Sequence, residues 1–406
     1  MIRLIFITIL FCEMFAGHFN MSIAAPKRLL NNIQSNDAIF VVNNNGKVII
    51  GKHSEQLCIP ASILKIVTSL AAFHYLGVDY RFKTEFYRSP DGLLKIKGYG
   101  DPVLVSEELE KIAHALQKKY FGFSGIVLDA TYFSANIRVP GITRTLNPYD
   151  ARNAALCVNF NTVCFRREPS GVLVTGEPHT PLLNFARKKI KRYTPDGRVN
   201  LFRKHSDILL YAGHLMHFFL IRQGVDMKKK YIQIESVNAK DQLLMTHLSG
   251  ASVEEIVSML LRFSNNFIAN QLLLAIGAKV YGPPATLKKG VSAIKSFAQK
   301  KLDIHDFQIV EGSGISRKNK ISAKEMIKAV KAFEPYRHLL THEENLFYKT
   351  GTLNGVRTRA GFIETEYGKT FPFVVMLNRK NVNNYRMDVV IKSLNKYLAS
   401  KHEKQF

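Results

Sequence analysis

Three short segments of the chain carry residue types that can do covalent chemistry together. In Ser62-Ile63-Leu64-Lys65 the hydroxyl and the amine stand at i and i+3, on one face of a helix and within hydrogen-bond reach. A serine is a poor nucleophile without an adjacent base, and a lysine becomes one when burial or a neighbouring cation lowers its pKa. Taken singly, the pattern also describes a polar stripe on a buried helix. In Ser264-Asn265-Asn266, between two helical segments, Ser264 and Asn266 can both face a cleft, although Ser and Asn also gather there as ordinary helix caps. Lys349-Thr350-Gly351-Thr352 ends a β-like run. Its Lys and Thr supply donors for a carboxylate, and Gly351 lets a substrate backbone lie close to the strand. A plain strand-to-turn transition reads the same way.

The elements that must position these residues follow from periodicity. Ala38 to Val42, Asn43-Asn44-Asn45-Gly46 and Lys47 to Ile50 read as a hairpin whose Asn-Gly supplies the positive φ angles of a tight turn. Pro60 to Leu76, closed by Gly77, has apolar residues at helical spacing and Pro in the first turn. Short β-like runs follow (93–96, 126–128, 173–175, 231–234), interrupted by one helix over 106–119. Helical period returns over 253–263, 267–276 and 286–300, then strands over 346–349, 358–364 and 371–377, and a closing helix over 385–400. The expectation is an α/β (α+β) fold: an antiparallel sheet built from both chain ends with helices packed on it. Residues 26–80 and 246–406 would form the catalytic domain and 81–245 a large, mostly β insertion.

Composition bounds the rest. Hydrophobic residues at 46% exclude a largely disordered chain, and a single long apolar run, at the N-terminus, excludes a polytopic membrane protein. That run, with Arg3 before it and Ser22, Ala24 and Ala25 after it, reads as a secretory signal over residues 1–25, an uncleaved anchor being the alternative. Export to the periplasm is expected. Beyond it only Cys58, Cys157 and Cys164 remain, too few for a disulfide scaffold, though Cys157 and Cys164 can bridge a hairpin. No CxxC or HExxH occurs, and His338 with His342 reads as ordinary helix surface, so neither metal nor cofactor is expected. The net charge of +25, densest at Arg187 to Arg192 and Lys228 to Lys230, invites a nucleic-acid reading. Export argues against it; attraction to anionic envelope polymers or a membrane surface fits better.

The three segments in this order, at a helix start, an inter-helix loop and a strand, resemble the signature of penicillin-binding proteins and serine β-lactamases. The long separation of Ser62 from Ser264, with Glu311-Gly312-Ser313-Gly314-Ile315-Ser316-Arg317-Lys318-Asn319, Gly98 to Pro102, Val127 to Phe133 and Asn147-Pro148-Tyr149, resembles the class C low-molecular-mass penicillin-binding proteins. These are the D-alanyl-D-alanine carboxypeptidase/endopeptidases. The resemblance implies that Ser62 is the nucleophile and Lys65 its base, that Ser264 passes a proton to the leaving amine, and that Asn266 holds the substrate amide and Lys65. It implies that Lys349 supplies positive potential, that Lys349, Thr350 and Thr352 hold the terminal carboxylate, and that Gly351 lies beside the substrate. Arg317 matches a family arginine associated with a distal carboxylate of the stem peptide, Tyr149 an aromatic lining that pocket, and Asn354 adds a contact. Peptidoglycan stem peptides are the implied substrate and β-lactams the implied covalent inhibitors. The family's acidic residue before Tyr149 is absent, as is Trp. A β-lactamase or esterase on the same scaffold, or a catalytically weak envelope-binding protein, are the alternatives.

Overall fold

The computed structural model describes residues 27–143, 145–228, 231–366 and 368–400. The expected leader lies outside them, as do Lys229 and Lys230 of the second basic run.

The hairpin at the start of the described chain forms, with Ala38–Val42 paired antiparallel to Val48–Lys52. Only Gly46 in its connection takes a positive φ, +80°, while the Asn43 side chain accepts from the Lys47 N–H at 2.8 Å. The loop is therefore longer than the two-residue Asn-Gly turn expected from sequence. This hairpin completes a six-stranded antiparallel sheet in the order Thr341–Glu343, Leu346–Leu353, Val356–Glu364, Thr370–Leu377, Ala38–Val42, Val48–Lys52. Both chain ends thus build one sheet, as the sequence predicts.

Alternation along these strands feeds two cores. Ala38, Phe40, Val42, Val374 and Met376 join the larger one, with the helix Lys65–Tyr75. Ile39, Val41, Phe373, Val375 and Leu377 join a second, closed by Leu394 and Leu398 of the helix Asn384–Ser400. Every residue of Thr370–Leu377 is consequently buried, which is why that strand reads as an unbroken apolar run. The helices Val253–Arg262 and Asn266–Tyr281 pack on Lys65–Tyr75, and Leu287–Leu302 packs on Asn266–Tyr281.

A second sheet, mixed in direction, runs Ile232–Ile234, Ile126–Asp129, Leu94–Gly98, Arg81–Arg88, Gln242–Ser252. The expected helix in this stretch is Ser106–Gln117. Sequence reading missed a longer one, His205–Arg222, whose ten buried residues are spread around the helix rather than along one stripe. Cys58, Cys157 and Cys164 are free thiols, so the anticipated hairpin bridge does not form. Cys164 stands opposite Arg198 in its strand pair, not opposite Cys157. His338 lies in a 3₁₀ turn and His342 on a strand, stacked against Phe347, so the two do not share a helix surface.

Candidate active site

Ser62 sits in a 3₁₀ turn, Ala61–Leu64, that leads into the helix Lys65–Tyr75. In a 3₁₀ turn residues i and i+3 eclipse, so Ser62 and Lys65 face each other more directly than the α-helix expected from sequence would allow. The turn is pinned to the sheet. Thr358 Oγ donates to the Pro60 carbonyl at 2.7 Å, and the Asn378 side chain bonds both the N–H and the carbonyl of Ile59. Ala61 is held at a φ of +48° immediately before the nucleophile.

Lys65 is fully buried and its Nζ has three partners: Ser62 Oγ at 2.8 Å, Asn266 Oδ1 at 2.8 Å and the Ser313 carbonyl at 2.7 Å. As an ammonium it donates to all three. As a neutral amine it has two N–H bonds, and Asn266 Oδ1 and Ser313 O can only accept them. The remaining lone pair is then directed at the Ser62 hydroxyl. Burial drives the Lys65 pKa well below the usual lysine value, the Lys349 cation lowers it further, and Glu311 opposes both.

The second segment reaches the same place from another helix. Asn265 is the cap of Asn266–Tyr281, accepting from the Ile268 N–H at 3.1 Å. That frees Ser264, at a φ of +50°, and Asn266 to face inward. Ser62, Ser264, Asn266, Thr350, Thr352, Tyr149 and Asn354 line one cavity of about 620 Å³.

Lys349, Thr350, Gly351 and Thr352 lie on Leu346–Leu353, where alternation turns Thr350 and Thr352 outward and Lys349 inward. Lys349 is buried behind the cavity, donating to the Thr350 carbonyl at 3.0 Å, and burial lowers its pKa to about 8. It reaches the site through its field rather than as a lining group. Gly351 is required for a reason that sequence did not give. A Cβ there would meet Thr358 Oγ at 2.2 Å, Ser62 N at 2.8 Å and Pro60 O at 2.9 Å, so the strand presses on the nucleophile turn itself.

Sequence reading assigned no role to Glu311, the residue that organises the loop behind Lys65. Its carboxylate is completely buried and accepts only from donors. Oε1 takes Gly314 N–H at 2.7 Å, Ser316 N–H at 3.3 Å and Asn319 Nδ2 at 2.6 Å. Oε2 takes Ser313 N–H at 2.7 Å, Ser313 Oγ–H at 2.6 Å and Asn270 Nδ2 at 3.2 Å. Five N–H groups and one hydroxyl thus converge on its two oxygens, the donor set of charge-assisted bonds to a carboxylate. Thr68 Oγ donates to the Gly312 carbonyl at 2.7 Å, fastening the loop to the nucleophile helix. Only Gly fits at 314: its φ is +85° and a Cβ would stand 1.8 Å from Ala61 O. The pairing of an acid with donors at 270 and 319 is tertiary and left no local mark in the sequence.

Of the three outlying residues, Tyr149 is exposed on the cavity wall. Asn354 stands where this cavity meets a second one, and Arg317, donating to the Asn354 carbonyl, lines only the second. Arg357, also missed, closes the wall near Leu353, donating to the Leu353 and Val356 carbonyls at 2.9 Å each.

A nucleophile paired with a buried amine and set on a cavity edged by hydroxyls can transfer acyl groups. The family model described as D-Ala-D-Ala carboxypeptidase 3 (S13) matches residues 27–196 and 194–346. D-alanyl-D-alanine carboxypeptidase DacB of Haemophilus influenzae is 23% identical over 82% of this chain and 83% of its own length. The crystal structure of penicillin binding protein 4 (dacB) from that organism has a TM-score of 0.71 at 20% identity, covering 88% of this chain and 93% of the other. A predatory endopeptidase from Bdellovibrio bacteriovorus, solved acylated by penicillin G in complex with an immunity protein, has a TM-score of 0.52 at 17% identity. It covers 89% of this chain and 90% of the other.

Proposed function

The chain belongs to the D-Ala-D-Ala carboxypeptidase 3 (S13) family and is a D-Ala-D-Ala carboxypeptidase; from that premise we propose that it works through a Ser62 acyl-enzyme on peptidoglycan stem peptides. Lys65 takes the Ser62 proton as Oγ attacks the carbonyl of the penultimate D-alanine. The tetrahedral oxyanion is received by the backbone N–H groups of Ser62 and Thr352. As the C–N bond breaks, Ser264 passes its hydroxyl proton to the departing D-alanine amine and is reprotonated at the expense of the Lys65 ammonium, leaving an ester on Ser62 and a neutral Lys65. Water then attacks the ester, frees the shortened peptide and restores the Ser62 hydroxyl.

The observation that carries this reading is the Lys65 geometry. Two of its three partners are obligate acceptors, so loss of one proton leaves the amine poised as a base toward Ser62 and toward nothing else. Thr350 and Thr352 receive the terminal carboxylate, with Lys349 behind them supplying positive potential. Asn266 orients both the substrate amide and Lys65. Gly351 keeps the strand close to Ser62, and Tyr149, Asn354 and Arg317 contact the part of the stem peptide nearer its N-terminus.

Three extensions belong to the same reading. The enzyme cuts 4-3 cross-links as a DD-endopeptidase, since an amine leaving group on a larger chain asks the same chemistry of the site. β-Lactams acylate Ser62. The protein acts in the periplasm, where its +25 charge draws it to anionic envelope polymers or the membrane surface. Release of D-alanine from a D-Ala-D-Ala peptide, measured beside hydrolysis of nitrocefin and of a cross-linked dimer, tests the assignment. The expected result is fast peptide turnover with stoichiometric, slowly reversed nitrocefin opening. Rapid nitrocefin turnover with an inert peptide would instead indicate a β-lactamase.

A further inference from the structure

A cavity of about 330 Å³ that shares no lining residue with the catalytic one is enclosed by residues 137–143, 150–153 and 200–203. Three arginines line it: Arg138, Arg152 and Arg203. Arg152 donates to the Ile137 carbonyl at 3.1 Å and to the Arg203 carbonyl at 2.6 Å, so it clasps the two segments that carry the other guanidinium groups. Burial and the Arg138 cation hold the Arg152 pKa below the usual arginine value, which places like charges close together. Arg138 and Arg203 are exposed, and their guanidinium groups have neither an ion pair nor a hydrogen bond among the described residues. Asp150 is the one acid among the described lining residues. Its carboxylate accepts from the N–H and hydroxyl of Thr143, at 3.0 and 2.6 Å, and from those of Thr145, at 3.3 and 2.5 Å, so it is occupied within its own loop.

The buried part of the wall holds acceptors without donors. Asn153 and Asn200 are only 4% and 3% exposed. Asn153 Nδ2 donates to the Phe267 carbonyl and to Gln271 Oε1, each at 3.0 Å, and Asn200 Nδ2 donates to the Asp150 carbonyl at 3.0 Å. A backbone carbonyl only accepts, so the orientation of both amides is fixed, and in both it is the oxygen that lacks a partner among the described residues. A buried amide oxygen left unpaired costs free energy, and two of them in one cavity call for donors that the protein does not supply.

We propose that this cavity binds a polyol phosphomonoester, with Arg138, Arg152 and Arg203 holding the phosphate and Asn153 and Asn200 accepting from hydroxyls of the polyol. A phosphomonoester carries about −1.5 to −2 charge at pH 7, which answers the unpaired Arg138 and Arg203, and guanidinium forks match phosphate oxygens. A single carboxylate answers one of those charges, and neither it nor a fully ionised phosphate brings donors for the two amide oxygens. The inference goes beyond the acyl-transfer reading and stands or falls separately from it.

The test is calorimetric titration of the full chain with glycerol 3-phosphate and glucose 6-phosphate, beside ethyl phosphate, inorganic phosphate and glucose. Wild type binds at least one of the two polyol phosphates about tenfold or more tighter than ethyl phosphate or inorganic phosphate, and glucose not measurably. The double variant Arg138→Gln/Arg203→Gln, which breaks no side-chain bond in the protein, loses about tenfold or more of that affinity. Its urea midpoint does not fall, and its labelling by a fluorescent penicillin stays at the wild-type level, which separates a lost ligand site from a damaged fold. Equal affinity for all the phosphates, no binding of either polyol phosphate at millimolar concentration, or binding that survives the double substitution overturns the proposal.

Discussion

Replacing Glu311 by Gln changes one oxygen for an amide, removes one charge and leaves the loop behind Lys65 short of an acceptor. Each carboxylate oxygen now accepts three donors, and each set of three includes a backbone N–H: Gly314 and Ser316 on one side, Ser313 on the other. Whichever way the Gln turns, its NH₂ confronts donors, and at least one buried N–H loses its partner. Hydrogen bonds to charged groups contribute about 1.5–3 kcal/mol each, and an unsatisfied buried donor costs about 1–3 kcal/mol. The substitution is therefore expected to destabilise the protein by roughly 3–5 kcal/mol, a large part of the ~5–15 kcal/mol typical of a folded chain. The same loop carries the Ser313 carbonyl that holds Lys65, so acylation slows by at least about tenfold. One effect has a sign that loop damage alone would not produce. Glu311 raises the Lys65 pKa against burial and Lys349, so its removal moves the acid limb of acylation to lower pH. Urea unfolding and stopped-flow acylation by a fluorescent penicillin across pH measure both. An unchanged unfolding midpoint, or an acid limb that stays put or moves up, would refute the role given to Glu311.

Lys65→Arg keeps the charge but stays protonated, so acylation falls by more than about a thousandfold while the fold persists; near wild-type labelling would remove Lys65 as the base. In wild type kcat/KM should rise with pH as the depressed Lys65 loses its proton and fall again near pH 8 as Lys349 loses its charge, a bell whose alkaline limb disappears in Lys349→Arg. Gly351→Ala forces the strand off the nucleophile turn, costing about 1–3 kcal/mol in urea unfolding and slowing acylation more than Thr350→Ala does. Asp101 is buried with its pKa raised to about 6, so its contribution to stability is present in acid and lost as pH rises through 6. Asp101→Asn, which cannot ionise, should lack that loss of roughly 2–3 kcal/mol when unfolding is followed from acid to neutral pH.

The parts of this molecule that were legible in its sequence are those whose meaning is local. Ser62 with Lys65, Ser264 with Asn266 and Lys349 to Thr352 each declare themselves within four residues, and the last strand shows as an unbroken apolar run over 371–377. The helix His205–Arg222 is apolar nearly all round, so no stripe marked it. The 3₁₀ turn at Ala61 arises from the strand pressing on it through Gly351 and Thr358, a contact between positions nearly three hundred residues apart in the chain. Glu311 is an acid in a Gly/Ser-rich loop until Asn270 and Asn319 fold around it. Lys349 and Arg317 were found as residues but not as places: one stands behind the catalytic cavity and the other faces its neighbour.

Acylation of Ser62 is the step on which every other catalytic assignment depends. The direct measurement is intact mass after incubation with a fluorescent penicillin, wild type beside Ser62→Ala, with the labelled peptide sequenced. One covalent adduct per chain, on the peptide that contains Ser62 and absent from the variant, is the predicted result. No adduct on folded wild type, or an adduct that survives in Ser62→Ala, would contradict it.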